Sequence, residues 1–310
     1  MRGQELTPKF SAGNSMEIHL LKYFLEAANE LNITRAAHRL HMAQPALSKQ
    51  LGKLERETGR VLFVREKYGI RLTNDGILLR KRAQEIIDLE AKTLAELAGT
   101  DSVTITGTVY IGAGETPGVS YIGKVLREIR AEYPGIDYRM ISGDFEDISM
   151  RLGHGLIDFA LFVGKANFSD YEYISLPYSD RWGAVVRDDD ELAAHDAITP
   201  EDIRGRELLF SHQAQTHGEL SEWLGLRADR LNITGTHNLA YNASIMAREG
   251  LGVLITIEGI VNTGADSGLK FIPLMPEVKA GLVLAWKKDA LLSKAAQKFR
   301  HALKASFSES

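Results

Sequence analysis

TRAAHRLHMAQPALSKQLGKLERE, residues 34–57, is the stretch on which the reading of this chain turns. It reads as two short helices with a tight break between them. In the first, Ala36, Ala37 and Leu40 recur at helical spacing, and Thr34 stands where an N-cap is expected. The second starts at Gln44-Pro45, where proline costs nothing because a first-turn N–H has no intrahelical partner. Ala46, Leu47, Leu51 and Leu54 then form its apolar stripe, while Ser48, Lys49, Gln50 and Lys53 project elsewhere. Small alanines at the crossing let the two helices approach closely. A second helix whose exposed N-terminal end carries Gln, Ser and Lys suits the reading of a DNA major groove. An ordinary αα-hairpin with a solvated polar face fits the same 24 letters equally well, so the neighbourhood has to decide.

Upstream, EIHLLKYFLEAANEL (17–31) predicts a helix with Ile18, Leu21, Phe24, Leu25 and Ala28 on one face, completing a three-helix core. Downstream, the apolar LFV of 62–64, the basic REKYG and then IRLT predict two short strands joined by a turn, a β-wing with Arg65, Lys67 and Arg71 placed to meet phosphates or a minor groove. Thr73-Asn74 can cap a long helix running to about residue 98. Its stripe of Leu79, Ala83, Ile86, Ile87, Leu94 and Leu97 is too long for one small domain to bury, which points to pairing with a second chain.

Charge separates the hairpin from its bland alternative. The whole chain has a net charge of −4, yet residues 34–82 alone carry +8 and the remainder −12. A basic block coinciding with a helix pair inside an acidic chain is the electrostatic footprint of a nucleic-acid module.

The string from Glu17 to Leu97 resembles the N-terminal winged helix-turn-helix and linker helix of LysR-type transcriptional regulators; residues 34–66, followed by RLTNDG at 71–76, carry the likeness. The resemblance implies a sequence-specific DNA-binding regulator of promoter DNA, controlled by a small-molecule effector, and a homodimer through the linker helix that assembles into a tetramer. Base-edge contact is then expected from Gln44, Pro45, Ser48 and Lys49, and phosphate or wing-groove contact from Thr34, Arg35, Lys53, Arg65, Lys67 and Arg71.

The 310 residues leave room for two or three domains, and 44% hydrophobic with 25% charged residues suits a globular chain with ample core. No apolar run of about 18 residues predicts a membrane span, and the first 15 residues have no apolar segment of a secretory signal, so a cytoplasmic location is the default expectation. The chain has no cysteine, which excludes disulfides, thiolate metal sites and cysteine nucleophiles.

After the small, polar stretch 99–106 the pattern changes to alternating strands and helices, which predicts a mostly parallel α/β architecture of two lobes with a ligand cleft between them. The expected organisation is an extension at 1–15 (with Met16 as an alternative start), a winged helix-turn-helix at 16–73, a linker helix at 74–98, a hinge at 99–106 and an effector-binding domain at 107–310. By resemblance to periplasmic solute-binding modules, lobe 1 takes 107–178 and 280–310 and lobe 2 takes 179–279, with the chain crossing near 176–180 and 273–281.

GAGETPG (112–118) lies between a strand and a helix, but its spacing is G-x-G-x-x-x-G and Glu115 would repel a pyrophosphate, so a nucleotide site is not supported. Thr116 as N-cap with Pro117 in the first helical position leaves backbone N–H groups for a small polar or anionic effector. The resemblance places effector contacts at Thr116 and at Asp144, where an acid replaces the family's usual hydroxyl and argues against a purely anionic effector. Asp144 is equally well read as a plain helix N-cap. Val163, Ser211, His212, Gln213, His237 and Asn238 complete the expected cleft. No metal or cofactor is expected: His212, His217 and His237 lack a carboxylate or fourth ligand at a recognised spacing. No G-x-S-x-G elbow or acid–base constellation supports an enzyme. The rival reading is a solute-binding protein without sequence-specific DNA recognition.

Overall fold

Helix α1 (Ile18–Glu30) turns Leu20, Leu21, Phe24, Leu25, Ala27 and Ala28 inward; Ile18, at the edge of that arc in the first turn, is exposed. Helix α2 (Ile33–Arg39) is capped by Asn32, whose Oδ1 accepts the N–H groups of Thr34 and Arg35 at 3.0 Å each. The cap expected at Thr34 therefore lies two residues earlier, on a side chain whose reach fits both orphan N–H groups. Helix α3 (Gln44–Thr58) starts after Ala43, which offers no side-chain cap; Pro45 sits in its first turn and Gly59 closes it in the left-handed region at φ 64°. Leu47, Leu51 and Leu54 are buried, whereas Ala46, about 100° around the helix from Leu47, is exposed. With Ala36 and Ala37 buried at the crossing, these residues make one core with α1.

The computed structural model describes residues 16–66, 69–98, 105–164, 169–211, 219–224 and 231–307. The expected extension 1–15, most of the expected hinge, Lys67, His212, His217 and Gln213 lie outside the described residues. The chain divides into two compact units, one ending at Leu94 and the other beginning at Ala95.

In the first unit, strands β1 (Phe63–Glu66) and β2 (Gly69–Leu72) pair antiparallel, with Val64 opposite Arg71 and Arg65 opposite Ile70. The wing is pinned to the helices by the Ile70 N–H, which donates to the Leu31 carbonyl at 2.9 Å. A Cβ on Gly69 would stand 2.4 Å from that same oxygen, so the approach demands glycine. Helix α4 (Asn74–Ala98) begins where the Thr73 hydroxyl accepts the Gly76 N–H (3.0 Å) and donates to the Val61 carbonyl (2.7 Å). Ala83 is fully buried and Leu79, Ile86 and Ile87 pack on the three-helix core. Leu94 and Leu97, further along the same stripe, are about 60% exposed in the single chain.

The second unit has two lobes. In lobe 1, β3 (Gly107–Ala113) lies parallel to β4 (Ile136–Ser142) and β5 (Phe159–Val163). Helix α5 (Val119–Glu132) and the C-terminal α9 (Lys294–Phe307) cover one face around Phe159, Trp286 and Phe299, and α6 (Phe145–Gly153) covers the other through Ile148 and Leu152. In lobe 2, β7 (Leu208–Ser211) lies parallel to β8 (Ile233–His237) and β9 (Val253–Ile257), with α7 (Glu219–Leu224) and α8 (Ala240–Arg248) packed on opposite sides. Two long strands join the lobes: β6 (Tyr171–Arg187) and β11 (Lys279–Lys287), antiparallel to each other with a register shift between Gly281 and Val283; β10 (Leu269–Pro273) pairs with β6. The expectation of a mostly parallel sheet is thus corrected to a mixed one. Each lobe has a parallel centre, but β6, β10 and β11 run antiparallel because the chain crosses and returns rather than looping through a helix. The lobe crossing expected near 176–180 falls inside one continuous strand, β6. No helix of the described residues is long and apolar enough to cross a membrane.

Candidate functional sites

Burial of Leu47, Leu51 and Leu54 forces the opposite face of α3 outward. Gln44, Pro45 and Lys49 are exposed at its N-terminal end, and Ser48 is half-buried beside them. Thr34 and Arg35 are exposed in the first turn of α2. The expected cations divide by what already holds them. The Arg35 Nε donates to Glu30 at 3.1 Å and Arg71 Nε to Glu66 at 3.0 Å, both at the surface, where such pairs contribute roughly 0–1 kcal/mol and exchange readily for phosphate. The Lys53 Nζ donates to Glu17 at 2.6 Å and lies 3.7 Å from Glu57; the bond to Lys53 holds the Glu17 carboxyl below its usual range and raises Lys53. Lys53 lies one turn after Lys49 on the same side of α3, and its pair with Glu17 is a surface one like the others. Arg65, on β1, is exposed and has no ion-pair partner among the described residues.

In the second unit the carboxyl ends of both parallel strand sets converge on one cleft of about 900 Å³, counting its open mouth. Open α/β sheets bind ligands at that end because the strand-to-helix loops leave backbone N–H groups and short polar side chains there. The end of β3 supplies Gly114 and Glu115, that of β4 supplies Gly143 and Asp144, and that of β5 supplies Val163 and Gly164. From lobe 2 come Ser211 at the end of β7 and His237 and Asn238 at the end of β8; Ser211 and His237 are direct partners across the sheet. The walls are apolar: Phe145, Ile148, Leu161, Phe162, Trp182, Ile255, Ile257 and Ile260.

Of the expected effector residues the structure brings Asp144, Val163, Ser211, His237 and Asn238 together. Thr116 stands apart. It is buried and is not the N-cap of α5, which begins at Val119; its hydroxyl accepts the Gly118 N–H at 2.9 Å in a local turn. That turn is tight because a Cβ on Gly118 would stand 1.9 Å from Leu282 Cδ1, so this glycine serves packing and not a phosphate.

Two residues stand out that the motif spacing did not mark as functional. Glu115 reaches across the cleft, its Oε2 accepting the Ala240 N–H at the start of α8. Helix α8 has Leu239 at its N-cap position with no side-chain cap of its own, so a carboxylate from lobe 1 satisfies a helix terminus of lobe 2. Asp180 lies on β6 where the strand passes between lobes, fully buried opposite Ala280. The Thr116 and Tyr178 hydroxyls stand beside its carboxylate without closing a full hydrogen bond, and they offset its burial only in part; burial pushes its pKa up to about 6. The His237 ring has both nitrogens buried without a hydrogen bond among the described residues, and burial lowers its pKa, which keeps it neutral near pH 7. The Trp182 Nε1–H is likewise unpartnered. Among the described residues no cluster of three or more His, Asp or Glu could hold a metal.

Two family models match the chain: "Bacterial regulatory helix-turn-helix protein, lysR family" over residues 18–77 and "LysR substrate binding domain" over residues 104–308. The Hca operon transcriptional activator HcaR of Escherichia coli strain K12 is 28% identical over 281 residues, covering 89% of this chain and 93% of its own length. The HTH-type regulator YybE of Bacillus subtilis strain 168 is 26% identical, covering 95% and 100%. Among solved structures, CbnR, a LysR family transcriptional regulator, matches with a TM-score of 0.74 at 18% identity, covering 94% of this chain and 99% of CbnR. Full-length CbnR complexed with its target DNA matches at 0.70 and 19%, covering 94% and 100%. At those identities the solved structures speak to the fold.

Proposed function

The chain belongs to the LysR family of transcriptional regulators, and from that premise we propose that α3 reads promoter DNA from its N-terminal end while the interlobe cleft receives the small molecule that controls it. DNA-binding transcription regulation with an effector-binding domain is the family's function, and it is not an enzymatic one. The observation that carries the residue-level reading is the split face of α3: three leucines in the core, Gln44 and Lys49 in solvent at the end that enters a major groove. Gln44, Pro45, Ser48 and Lys49 take base edges; Thr34, Arg35, Arg65, Lys67 and Arg71 take phosphates and the wing groove. Lys53 takes phosphate as well, by exchange of its surface pair with Glu17.

The proposed domain plan keeps the winged helix-turn-helix at 16–73, the linker helix at 74–98 and the effector domain at 107–310. The exposed Leu94 and Leu97 support pairing of two chains along α4, with a tetramer as the next level of assembly. A reader of promoter DNA works where the DNA is, so we place the protein in the cytoplasm. Ligand in the cleft shifts one lobe against the other and changes the spacing of the DNA-binding heads.

Fluorescence anisotropy with labelled duplexes, run as a salt series, tests this reading. The expected result is binding to the protein's own promoter region that persists at about 150 mM salt, with nonspecific duplex lost as salt rises. Equal affinity for promoter and scrambled duplex across the series contradicts it.

A further inference from the structure

Helix N-termini in a ligand cleft ordinarily receive an anion, because their unpaired N–H groups and the helix dipole favour negative charge. Among the described residues two helix starts line this cleft, and both are already occupied by the chain's own carboxylates. Asp144 Oδ1 accepts the Asp147 N–H of α6 at 2.9 Å, and Glu115 Oε2 accepts the Ala240 N–H of α8. A ligand carboxylate entering here would find both positions taken and two like charges beside it, between apolar walls that screen poorly.

The rest of the lining points the same way. Among the described lining residues there is no lysine or arginine. Two arginines on bordering elements are held by acids: Arg151 donates to Asp147 at 2.9 Å, and Arg181 donates twice to Glu258 at 2.9 and 2.8 Å. Each cleft carboxylate keeps one oxygen, Asp144 Oδ2 and Glu115 Oε1, with no hydrogen bond among the described residues. Phe145, Phe162 and the Trp182 ring supply faces that attract a cation as well as an apolar body. His237, kept neutral by burial, adds no opposing charge.

We infer that the cleft takes an amine, a protonated nitrogen carried on an apolar body of aromatic size. The nitrogen sits between Asp144 and Glu115, and the body lies along Phe145, Phe162 and Trp182. Because Glu115 already spans the two lobes, an ammonium bound to it strengthens the bridge rather than competing with it. This inference rests on the cleft being the effector site.

Three probes of matched length separate the chemistry: 2-phenylethylamine, 2-phenylethanol and 3-phenylpropionate, with the 2-naphthyl members of the same series as larger bodies. Each is titrated into the full chain at pH 7.5 by calorimetry, with thermal unfolding as a second readout. The expected result is an amine preferred at least tenfold over the alcohol and the carboxylate of the same body, a preference lost in Asp144→Asn and Glu115→Gln. Both substitutions keep an oxygen for the helix start, so the caps persist. Carboxylate or alcohol binding as tightly as the amine, a preference unchanged in both variants, or no binding by any amine overturns the inference. Ser211→Trp, which fills the cleft, separates the two levels. Carboxylate binding abolished by this variant overturns only the ligand class. Amine binding undiminished by it overturns the cleft as the effector site.

Discussion

The reading head and the cleft place their polar groups in opposite ways. On α2, α3 and the wing, Arg35, Gln44, Lys49, Arg65 and Arg71 stand exposed on a frame whose leucines are fully buried, and several are tied only by surface ion pairs. In the cleft, Asp144, Glu115, His237 and Trp182 are half-buried or more: Asp144 caps α6, Glu115 is committed across the lobes, and His237 and the Trp182 N–H have no partner among the described residues. The head can release its surface pairs and take phosphates at little cost, so its specificity lies in a few base-edge contacts. Polar atoms in the cleft gain most from a ligand that satisfies them, because an unpartnered buried donor or acceptor costs roughly 1–3 kcal/mol. One region recognises by extended charge, the other by closed complementarity.

Four substitutions break or sharpen this contrast. The largest effect is expected from Leu47→Ala, which empties a fully buried site in the head: about 2–5 kcal/mol of that unit's stability is lost while ligand titration of the cleft is unaffected, as read by calorimetry and denaturant unfolding. A single cooperative transition shifting for both units would show that the two are not energetically separate. Next is Asp180→Asn. Because burial raises Asp180, the folded chain keeps this proton up to about pH 6 while the unfolded chain releases it near 3.8. Stability contributed by this group therefore falls as pH rises from about 4 to about 6 and stays low above that. The variant is expected to gain about 1–3 kcal/mol at pH 7.5 and to flatten that slope in a series of melts. Gln44→Ala follows, relaxing discrimination at particular base pairs by roughly 1–3 kcal/mol with little change on nonspecific duplex. The smallest is Arg71→Gln, which leaves stability within about 0.5 kcal/mol, weakens binding to all sequences alike and lowers the salt slope by about 1.

Legibility in the sequence follows the same divide. The head was readable because its signals are local: helical spacing of leucines and alanines, a proline in a first turn, a charge block. Its misreadings were local too. Asn32 outbid Thr34 as a cap because its side chain reaches two N–H groups at once, and Ala46 was counted as core although it lies about 100° from Leu47. In the cleft, Ser211 and His237 could be placed at strand ends because alternation marks where parallel strands stop, whereas Asp144 was placed by the family resemblance. Glu115 was weighed only against a pyrophosphate, since nothing in the sequence shows that its partner is the N–H of a residue 125 positions away. Thr256 and Ile257 lie in β9, a strand buried on both faces, where period two is lost and no face announces itself; Trp182 follows Asp180 and Arg181 on β6, where polar neighbours hide its place in the cleft wall. Asp180 lies on β6 at the expected lobe crossing, and its polar neighbours Ser179 and Arg181 give no sign that it is buried.

The most direct test of the central claim, that the N-terminal end of α3 specifies the DNA, is selection of binding sites from a random duplex pool by the full chain at about 150 mM salt, repeated with Gln44→Ala. The account predicts a paired, two-fold-related motif for the unmodified chain and the same motif with relaxed preference at one or two positions of each half-site for the variant. No enriched motif, or an identical motif from both proteins, would contradict it.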